Sequence, residues 1–198
     1  MAALLTVCGC SPSNIEAQPK TQKTQSADLR FVAASSRVSA NCRATARAVG
    51  YPVPCPTRLP IGLGPDVTGP GGVGGSDKSW RGWVIGSSGN EDQHLVITAS
   101  PRPLTNYAKL VNGPAWYPQD RVRPLGWDRI NGRRMRSVYV PPATNGGSAF
   151  MHHVVLIWTE SGHTYGVGFH VGFHNAAGIG RTLDLDEELA KYIKLVRP

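Results

Sequence analysis

Three pairs of short apolar segments, each pair joined by turn-forming residues, constrain the fold of this chain more than any other feature of its sequence. The paired segments are 80–86 with 93–99, 127–130 with 133–140, and 152–159 with 163–170. Asn131 and Gly132, between the second pair, form a dipeptide typical of two-residue hairpin turns, because both residues tolerate positive φ angles. Segments of this kind joined by short turns predict hairpins. We therefore predict about six strands in consecutive hairpins, which form an antiparallel meander.

A helical segment precedes the predicted sheet and is followed closely by a second cysteine. Apolar residues recur at helical spacing from 38 to 49, and the alanines among them favour a helix. Gly50 is a natural end for this helix, and Pro52 prevents its continuation. The chain must then turn back, which brings Cys55 towards Cys42. We predict a structural disulfide between these two cysteines; a redox or metal-binding pair is the alternative, but their separation lacks the short CxxC spacing.

A second helix is predicted at the C-terminus of the chain. Asp184 to Glu187 resembles a capping box, and the spacing predicts one apolar helical stripe that contains Leu185, Leu189, Tyr192 and Ile193. Hydrophobic residues make up 40% of the 198 residues and charged residues 17%, which suits one domain with a core of useful size. The predicted fold class is α+β: a curved antiparallel sheet of about six strands, with the N-terminal and C-terminal helices packed on one face.

The first ten residues resemble the end of a bacterial lipoprotein signal. Val7-Cys8-Gly9-Cys10 matches the lipobox pattern, in which the last cysteine receives diacylglycerol after cleavage. A frame that ends at Cys8 is poorer, because it places a bulky valine before the cleavage site. The apolar run is short and follows no Lys or Arg, so we expect the natural start to lie upstream. The alternative is a cytosolic protein whose apolar N-terminus arose by chance.

The segment that follows is polar and argues for a tether. Residues 11–28 are rich in Gln, Thr, Ser and Lys, and such a segment cannot offset its own ordering entropy. We predict a signal peptide at 1–9, a lipidated Cys10 with a flexible tether at 10–28, and one globular domain at 29–198. The expected location is the outer side of a bacterial membrane, to which the lipid anchors the protein.

Basic residues are concentrated between residues 121 and 136. The formal net charge is +8, and a basic cluster with interleaved aromatic residues contributes much of it. Its arginines are Arg121, Arg123, Arg129, Arg133, Arg134 and Arg136. Outside the cytoplasm, such a cluster favours contact with anionic headgroups or an anionic envelope polymer, whereas nucleic acid is not an expected partner. An ordinary solvated face is the alternative.

Five of the six histidines lie between residues 152 and 174, which raises the hypothesis of a metal site. His163, His170 and His174 are the candidate ligands, and the last two would share a face of a strand. Against this, no carboxylate or cysteine is spaced to complete a ligand shell. Surface and pairing histidines are the alternative, so metal binding ranks as a lesser hypothesis and no cofactor is predicted.

No combination of nucleophile, base and orienting group indicates an enzyme. The sequence contains no GxSxG motif, and the glycine-rich segment 69–75 lacks the GxxxxGK[ST] pattern of a phosphate-binding loop. Acidic residues are few, which disfavours a glycosidase with paired carboxylates. We therefore predict a non-enzymatic protein.

The arrangement from about Cys55 to Pro198 resembles the LolA/RseB-like superfamily of bacterial envelope proteins. A Leu-Pro opening, a meander of hairpins and a short terminal helix carry this resemblance. The segment HVVLIWTESGHTYGVGFH also resembles secreted actinobacterial lipoproteins. The resemblance implies a curved half-barrel that binds a lipid or amphiphile. A protein-interaction or sensing module with an envelope protein as its partner is the alternative, and a filled core in place of an apolar trough would favour it.

Overall fold

The computed structural model describes residues 30–61, 63–68, 80–86, 94–104, 122–142, 151–172 and 175–198. The predicted signal peptide and the whole predicted tether, including the proposed lipidation site Cys10, lie outside the described residues, as do Arg121 and His174. In the part of the chain that is described, no helix is long and apolar enough to cross a membrane.

The described chain forms two helices and three antiparallel sheets. The helices are α1 (Ser36–Val49) and α2 (Ala176–Ala190). The main sheet contains β4 (Leu63–Thr68), β5 (Trp80–Gly86), β6 (His94–Ser100), β7 (Arg123–Ile130), β8 (Arg133–Val140), β9 (His153–Glu160) and β10 (His163–Phe169). The two small sheets pair β1 (Phe31–Ala33) with β3 (Arg58–Pro60), and β2 (Val53–Pro56) with β11 (Ile193–Val196). The predicted α+β class with two helices and an antiparallel sheet is confirmed.

The strand order of the main sheet departs from a simple meander at one connection. The order is β4-β5-β6-β10-β9-β8-β7, so all three predicted hairpins form, but β6 pairs with β10 and not with β7. Residues 101–122 separate β6 from β7, a connection far longer than the 2–5 residues typical of a hairpin. This long connection allows β7 to lie at the end of the strand order, and β6 lies beside β10, the last strand of the main sheet along the chain.

The two faces of the main sheet bury different sets of side chains. The face that carries Leu95, Ile97 and Tyr165 shares one buried cluster with Val38 of α1 and Leu189 of α2, and we call it the helix face. The opposite face, here the second face, buries a separate set of aliphatic residues: Val96, Val122, Val138, Val140, Val155 and Ile157. Both helices therefore pack on one face, as predicted.

The disulfide between Cys42 and Cys55 is present and connects α1 to β2, with Cα atoms 5.8 Å apart. Ser35 caps the start of α1 by accepting from the Val38 N–H, and Gly50 ends the helix with a left-handed φ of 79°. Closing a loop of this size stabilises the folded chain by about 3 kcal/mol in the loop-entropy model.

The C-terminal helix begins earlier than its sequence predicts. Asn175 is the N-cap, and its side-chain oxygen accepts from the Gly178 N–H at 2.8 Å. The predicted capping box from Asp184 to Glu187 therefore lies inside α2. Ile193, which was assigned to the helix stripe, instead pairs with Pro56 in the sheet of β2 and β11. The cap at Asn175 was missed because Gly178 and Gly180 weaken the helical pattern of the first turns.

Candidate metal centre

Three histidines lie side by side across three adjacent strands of the main sheet. His94 is the first residue of β6, His153 is the first residue of β9, and His170 directly follows β10. The His170 N–H donates to the His94 carbonyl oxygen at 3.1 Å, and His170 forms an antiparallel bridge with His153. We call His94, His170 and His153 the histidine row.

All three side chains of the histidine row project from the second face. Side chains alternate along a strand, so His153 shares its face with Val155, and His94 shares its face with Val96. The ring centroids are 4.7 Å apart for His94 and His153, 5.0 Å for His94 and His170, and 5.1 Å for His153 and His170. The strand register therefore places three residues that are separated in the sequence next to one another in one cluster.

The ligand atoms of the histidine row are close enough to approach the same ion. One ring nitrogen from each histidine lies within 4.8 Å of the other two. Bonds of 2.0–2.1 Å in a tetrahedral zinc site place ligand nitrogens about 3.3 Å apart. Small ring rotations would close the difference, because His94 and His170 are only half-buried and retain room to adjust.

His153 is fixed in the state that a metal ligand requires. Its side chain is 1% exposed, and its Nδ1 lies 2.6 Å from the carbonyl oxygen of Met151. Because a carbonyl oxygen only accepts, Nδ1 carries the proton and Nε2 carries the lone pair. Burial, with a further contribution from neighbouring His94, lowers the pKa of His153 to about 3. Hydrogen bonds from the second ring nitrogen orient metal-bound histidines in the same way.

His152 is not part of the histidine row, but its ring packs against His170, the middle residue of the row. Its ring stacks on His170 at 5.3 Å between centroids and 17° between planes. Its carbonyl oxygen accepts from the Val171 N–H at 2.5 Å, and its φ of 61° is uncommon for a residue other than glycine. Backbone strain of this kind costs about 1–3 kcal/mol and persists where the surrounding structure enforces it.

Gly168 allows strands β9 and β10 to approach closely just before the row. A Cβ atom at this position would overlap the carbonyl oxygen of Val154 and lie 3.0 Å from the Cα of Val155. The absence of a side chain is therefore a requirement of the backbone approach that brings His170 opposite His153.

Only one of the three metal ligands predicted from the sequence belongs to the histidine row that the described residues form. His170 is the centre of the row, and His174 lies outside the described residues. His163 lies at the opposite end of β10, where its ring stacks on Tyr51 at 5.4 Å. His94 and His153, the other two candidate ligands, were not predicted. The usable signal was their position as the first residue of a strand, but it has meaning only once the strand order is known.

The predicted basic cluster divides between the two faces of the sheet. Arg133 lies on the helix face and pairs with Glu160, with 2.7 Å between Nε and Oε2. The guanidinium groups of Arg134 and Arg136 lie 4.4 and 5.4 Å from the ring centroid of Trp127. Arg123 and Arg129 are exposed on β7. The predicted cluster is therefore spatially continuous only in part.

No protein-family model matches the chain, and no curated protein or solved structure matches it either. The fold and the histidine row define the chain as a disulfide-linked α+β domain with three imidazoles converging on one face of its sheet.

Proposed function

We propose that this protein binds a divalent transition-metal ion, zinc or copper, through ring nitrogens of His94, His153 and His170. The observation that carries the proposal is the convergence of the histidine row, with one ligand atom of each residue within 4.8 Å of the others. Imidazole nitrogen suits zinc and copper, whereas magnesium and calcium prefer oxygen ligands.

The oriented ring of His153 supports a ligand role over simple packing. A buried histidine that only filled space would be replaced at little cost by an apolar residue of similar size. Here the carbonyl oxygen of Met151 accepts from Nδ1, which leaves Nε2 with a lone pair that can bind a metal ion.

The ligand set favours binding over catalysis. Among the described residues, the cluster consists of histidines without a carboxylate or thiolate. Three protein ligands leave a coordination position for water or for a ligand of another molecule. A general acid or base beside that position would be needed for hydrolysis, and the described part of the chain supplies no carboxylate to the cluster. We therefore propose capture, transfer or sensing of the ion.

The proposed location remains the outer side of a bacterial membrane, with the protein anchored by lipidated Cys10. The Cys42–Cys55 disulfide supports this location, because disulfides persist in oxidising compartments and are rare in the cytosol. Zinc and copper ions in that compartment would be the natural cargo of the histidine row.

The alternative proposals from the sequence are a carrier of lipid or amphiphile and a protein-interaction module. A carrier needs an apolar trough. On the described part of the helix face, Leu95, Leu156 and Val167 are at most 1% exposed and pack in one cluster with both helices. This filled core favours the interaction module over the acyl-chain carrier.

The test is metal titration of chelator-treated protein, followed by calorimetry and thermal unfolding. A metal ion present at about a hundred times its Kd stabilises the folded state by about 2.7 kcal/mol, which raises Tm by roughly 5–10 °C. His94→Ala and His170→Ala should each weaken binding by more than the roughly 10- to 100-fold that loss of an outer partner costs.

His163→Ala is the matched control, because it removes an imidazole from the same strand but not from the histidine row. Its affinity for the ion should equal that of the unaltered protein. Equal loss of binding in all three variants would contradict the proposal, as would the absence of a thermal shift with zinc, copper and nickel.

A further inference from the structure

Strand β7 presents an exposed strip at the end of the strand order of the main sheet. Its neighbour in the sheet is β8, and its residues from Arg123 to Arg129 are exposed apart from half-buried Gly126. Leu125 is 37% exposed and Trp127 is 56% exposed, which makes them two of the large apolar side chains that the fold leaves open to solvent.

Arginines surround Trp127 on the second face. Trp127 lies opposite Arg136, and Arg129 lies opposite Arg134, so all four side chains share this face. The guanidinium carbon of Arg134 lies 4.4 Å from the centroid of the Trp127 ring, and that of Arg136 lies 5.4 Å from it. We call Leu125, Trp127, Arg129, Arg134 and Arg136 the tryptophan–arginine edge.

Two arginines of the tryptophan–arginine edge, Arg129 and Arg134, lie exposed beside Trp127. In the described part of the chain, neither Arg129 nor Arg134 forms an ion pair. Asp128 lies opposite Met135, which places it towards the helix face, and its Oδ1 accepts from the Arg129 backbone N–H at 2.7 Å. Arg133 differs, because Glu160 neutralises it on the helix face.

Stacking on Trp127 prepares the guanidinium groups for a ligand. A free arginine side chain loses up to about 2 kcal/mol of conformational entropy when it is fixed. Cation–π contact with an exposed ring contributes about 0.5–1 kcal/mol and holds the charge in place before a partner arrives. The edge therefore offers ordered cations beside exposed apolar surface.

The features of β7 disfavour pairing with a second copy of this chain. Pro124 cannot donate to a neighbouring strand, and the register shifts between Pro124 and Gly126. A bulge, a proline and a row of charges are the devices by which natural sheets block edge-to-edge association. The edge is thus exposed without being a template for another strand.

We propose that the tryptophan–arginine edge docks on a bilayer surface that contains anionic phospholipid. The arginines would contact phosphate groups, while Trp127 and Leu125 would enter the interfacial layer. Tryptophan is enriched at membrane interfaces, and each basic residue near an anionic surface contributes about 1 kcal/mol. A hydrophilic anionic polymer would satisfy the arginines but would leave the two apolar side chains in water. The net charge of +8 adds attraction over a longer range.

Docking on the bilayer does not depend on metal binding or on lipidation of Cys10. The edge and the histidine row lie towards opposite ends of the second face, because Arg136 pairs with Ile157 whereas His153 begins β9. A domain docked through the edge would therefore hold the row away from the contact.

The experiment is vesicle flotation of the full chain that carries Cys8→Ser and Cys10→Ser, so that acylation cannot supply the binding. Vesicles of phosphatidylcholine alone are compared with vesicles that contain phosphatidylglycerol, at low and physiological ionic strength. We expect binding that requires phosphatidylglycerol and weakens with salt. The double variant Arg129→Gln, Arg134→Gln, which alters two exposed arginines, should lower the partition constant by roughly tenfold or more.

Two matched controls separate the edge from general charge and general hydrophobicity. Arg43→Gln with Arg47→Gln removes the same charge from exposed positions of α1. Ile61→Ala removes an apolar side chain that is 56% exposed, as Trp127 is. Both controls should retain most of the vesicle binding, whereas Trp127→Ala should lose it severalfold. Brominated lipid should quench the fluorescence of the unaltered chain more than that of Trp127→Phe, which also serves if Trp127→Ala fails to fold.

Three outcomes would overturn the bilayer proposal. Equal losses in the two arginine pairs would assign the binding to net charge. Binding to soluble polyphosphate without any binding to vesicles would assign the edge to a polymer. A dimer that dissociates in Trp127→Ala, with no vesicle binding, would assign the edge to self-association.

Discussion

The two ends of strand β10 each carry a histidine, and these two histidines have different surroundings. His170 follows the strand and lies in the histidine row on the second face, whereas His163 begins the strand and stacks on Tyr51 on the helix face. Side chains alternate along a strand and rise about 3.3 Å per residue. An odd separation of seven residues therefore places the two rings on opposite faces, with their Cα atoms about 23 Å apart.

At the His163 end of β10, Glu160 accepts hydrogen bonds from two neighbouring side chains. Glu160 Oε2 accepts from Arg133 Nε at 2.7 Å and from Trp158 Nε1 at 3.3 Å. Burial, together with the charge of Glu160, raises the pKa of nearby Tyr165 to about 12. At the His170 end, by contrast, three imidazoles converge without a carboxylate among the described residues. The ligand role that we propose therefore concerns the His170 end of β10, and we expect a structural role for the His163 end.

The largest effect on stability is expected for Gly168→Ala, which alters the backbone contact near the His170 end of β10. The added Cβ would overlap the Val154 carbonyl oxygen, a backbone atom that cannot move aside as a flexible side chain can. We expect a loss of about 3 kcal/mol or more in the free energy of unfolding, with loss of metal binding where folded protein remains. Urea denaturation and metal titration of the same preparation measure both effects.

Gly162→Ala provides the control for this substitution at the other end of β10. Gly162 has a φ of 80°, and a Cβ there would have nothing within 4 Å. The cost is then only the left-handed backbone, about 1–2 kcal/mol, and metal affinity should not change. If both glycine variants lose metal binding equally, the close approach of β9 and β10 does not position the row.

Local signals in the sequence predict most of the secondary structure. Asn131-Gly132 encodes a turn that forms as expected, with φ values of 50° and 79°. Gly50 and Pro52 end α1, and the resulting reversal brings Cys42 and Cys55 together. In each case, residues within a few positions of one another determine the outcome, so a single sequence contains the necessary information.

The histidine row was not predictable from local signals. It requires β10 to lie between β6 and β9, and the pairing of β6 with β10 joins segments that are far apart in the chain. The high density of histidines between residues 152 and 174 favoured His163 as a ligand, although it lies on the helix face. His94 lies outside that segment and was therefore not predicted. Density in the sequence was a poor guide, because cross-strand register decides which side chains meet.

Acid should destabilise the metal-free protein through His153. Burial lowers the pKa of His153 in the folded state to about 3, whereas an unfolded chain has a histidine pKa near 6.5. Between these values the unfolded state binds the extra proton, so the free energy of unfolding falls as pH falls. The slope is about 1.4 kcal/mol per pH unit for one such group. Denaturation of His153→Gln over the same range should lack this slope; an unchanged slope would assign the acid sensitivity to other groups.

Asp186 should produce a smaller dependence of opposite sign. This buried carboxyl of α2 supports the His170 end of β10 by accepting from the Phe169 N–H at 3.0 Å. Burial raises its pKa well above the ordinary value. The folded state therefore retains a proton that the unfolded state releases, and stability declines as pH rises above about 4. Asp186→Asn should be more stable than the unaltered protein at neutral pH and similar in acid, and a variant that is less stable at neutral pH would contradict this.

The smallest effect is expected for Glu160→Gln at the His163 end. The side chain of Glu160 is 36% exposed and that of Arg133 is 18% exposed, so solvent screens their ion pair. Because exposed pairs contribute about 0–1 kcal/mol, stability should fall by no more than this and the difference should shrink at high salt. Metal affinity should stay unchanged, since Glu160 lies at the far end of β9 from His153. A measurable loss of affinity would show that the two ends of β10 act together, and the division between a structural end and a ligand end would then be wrong.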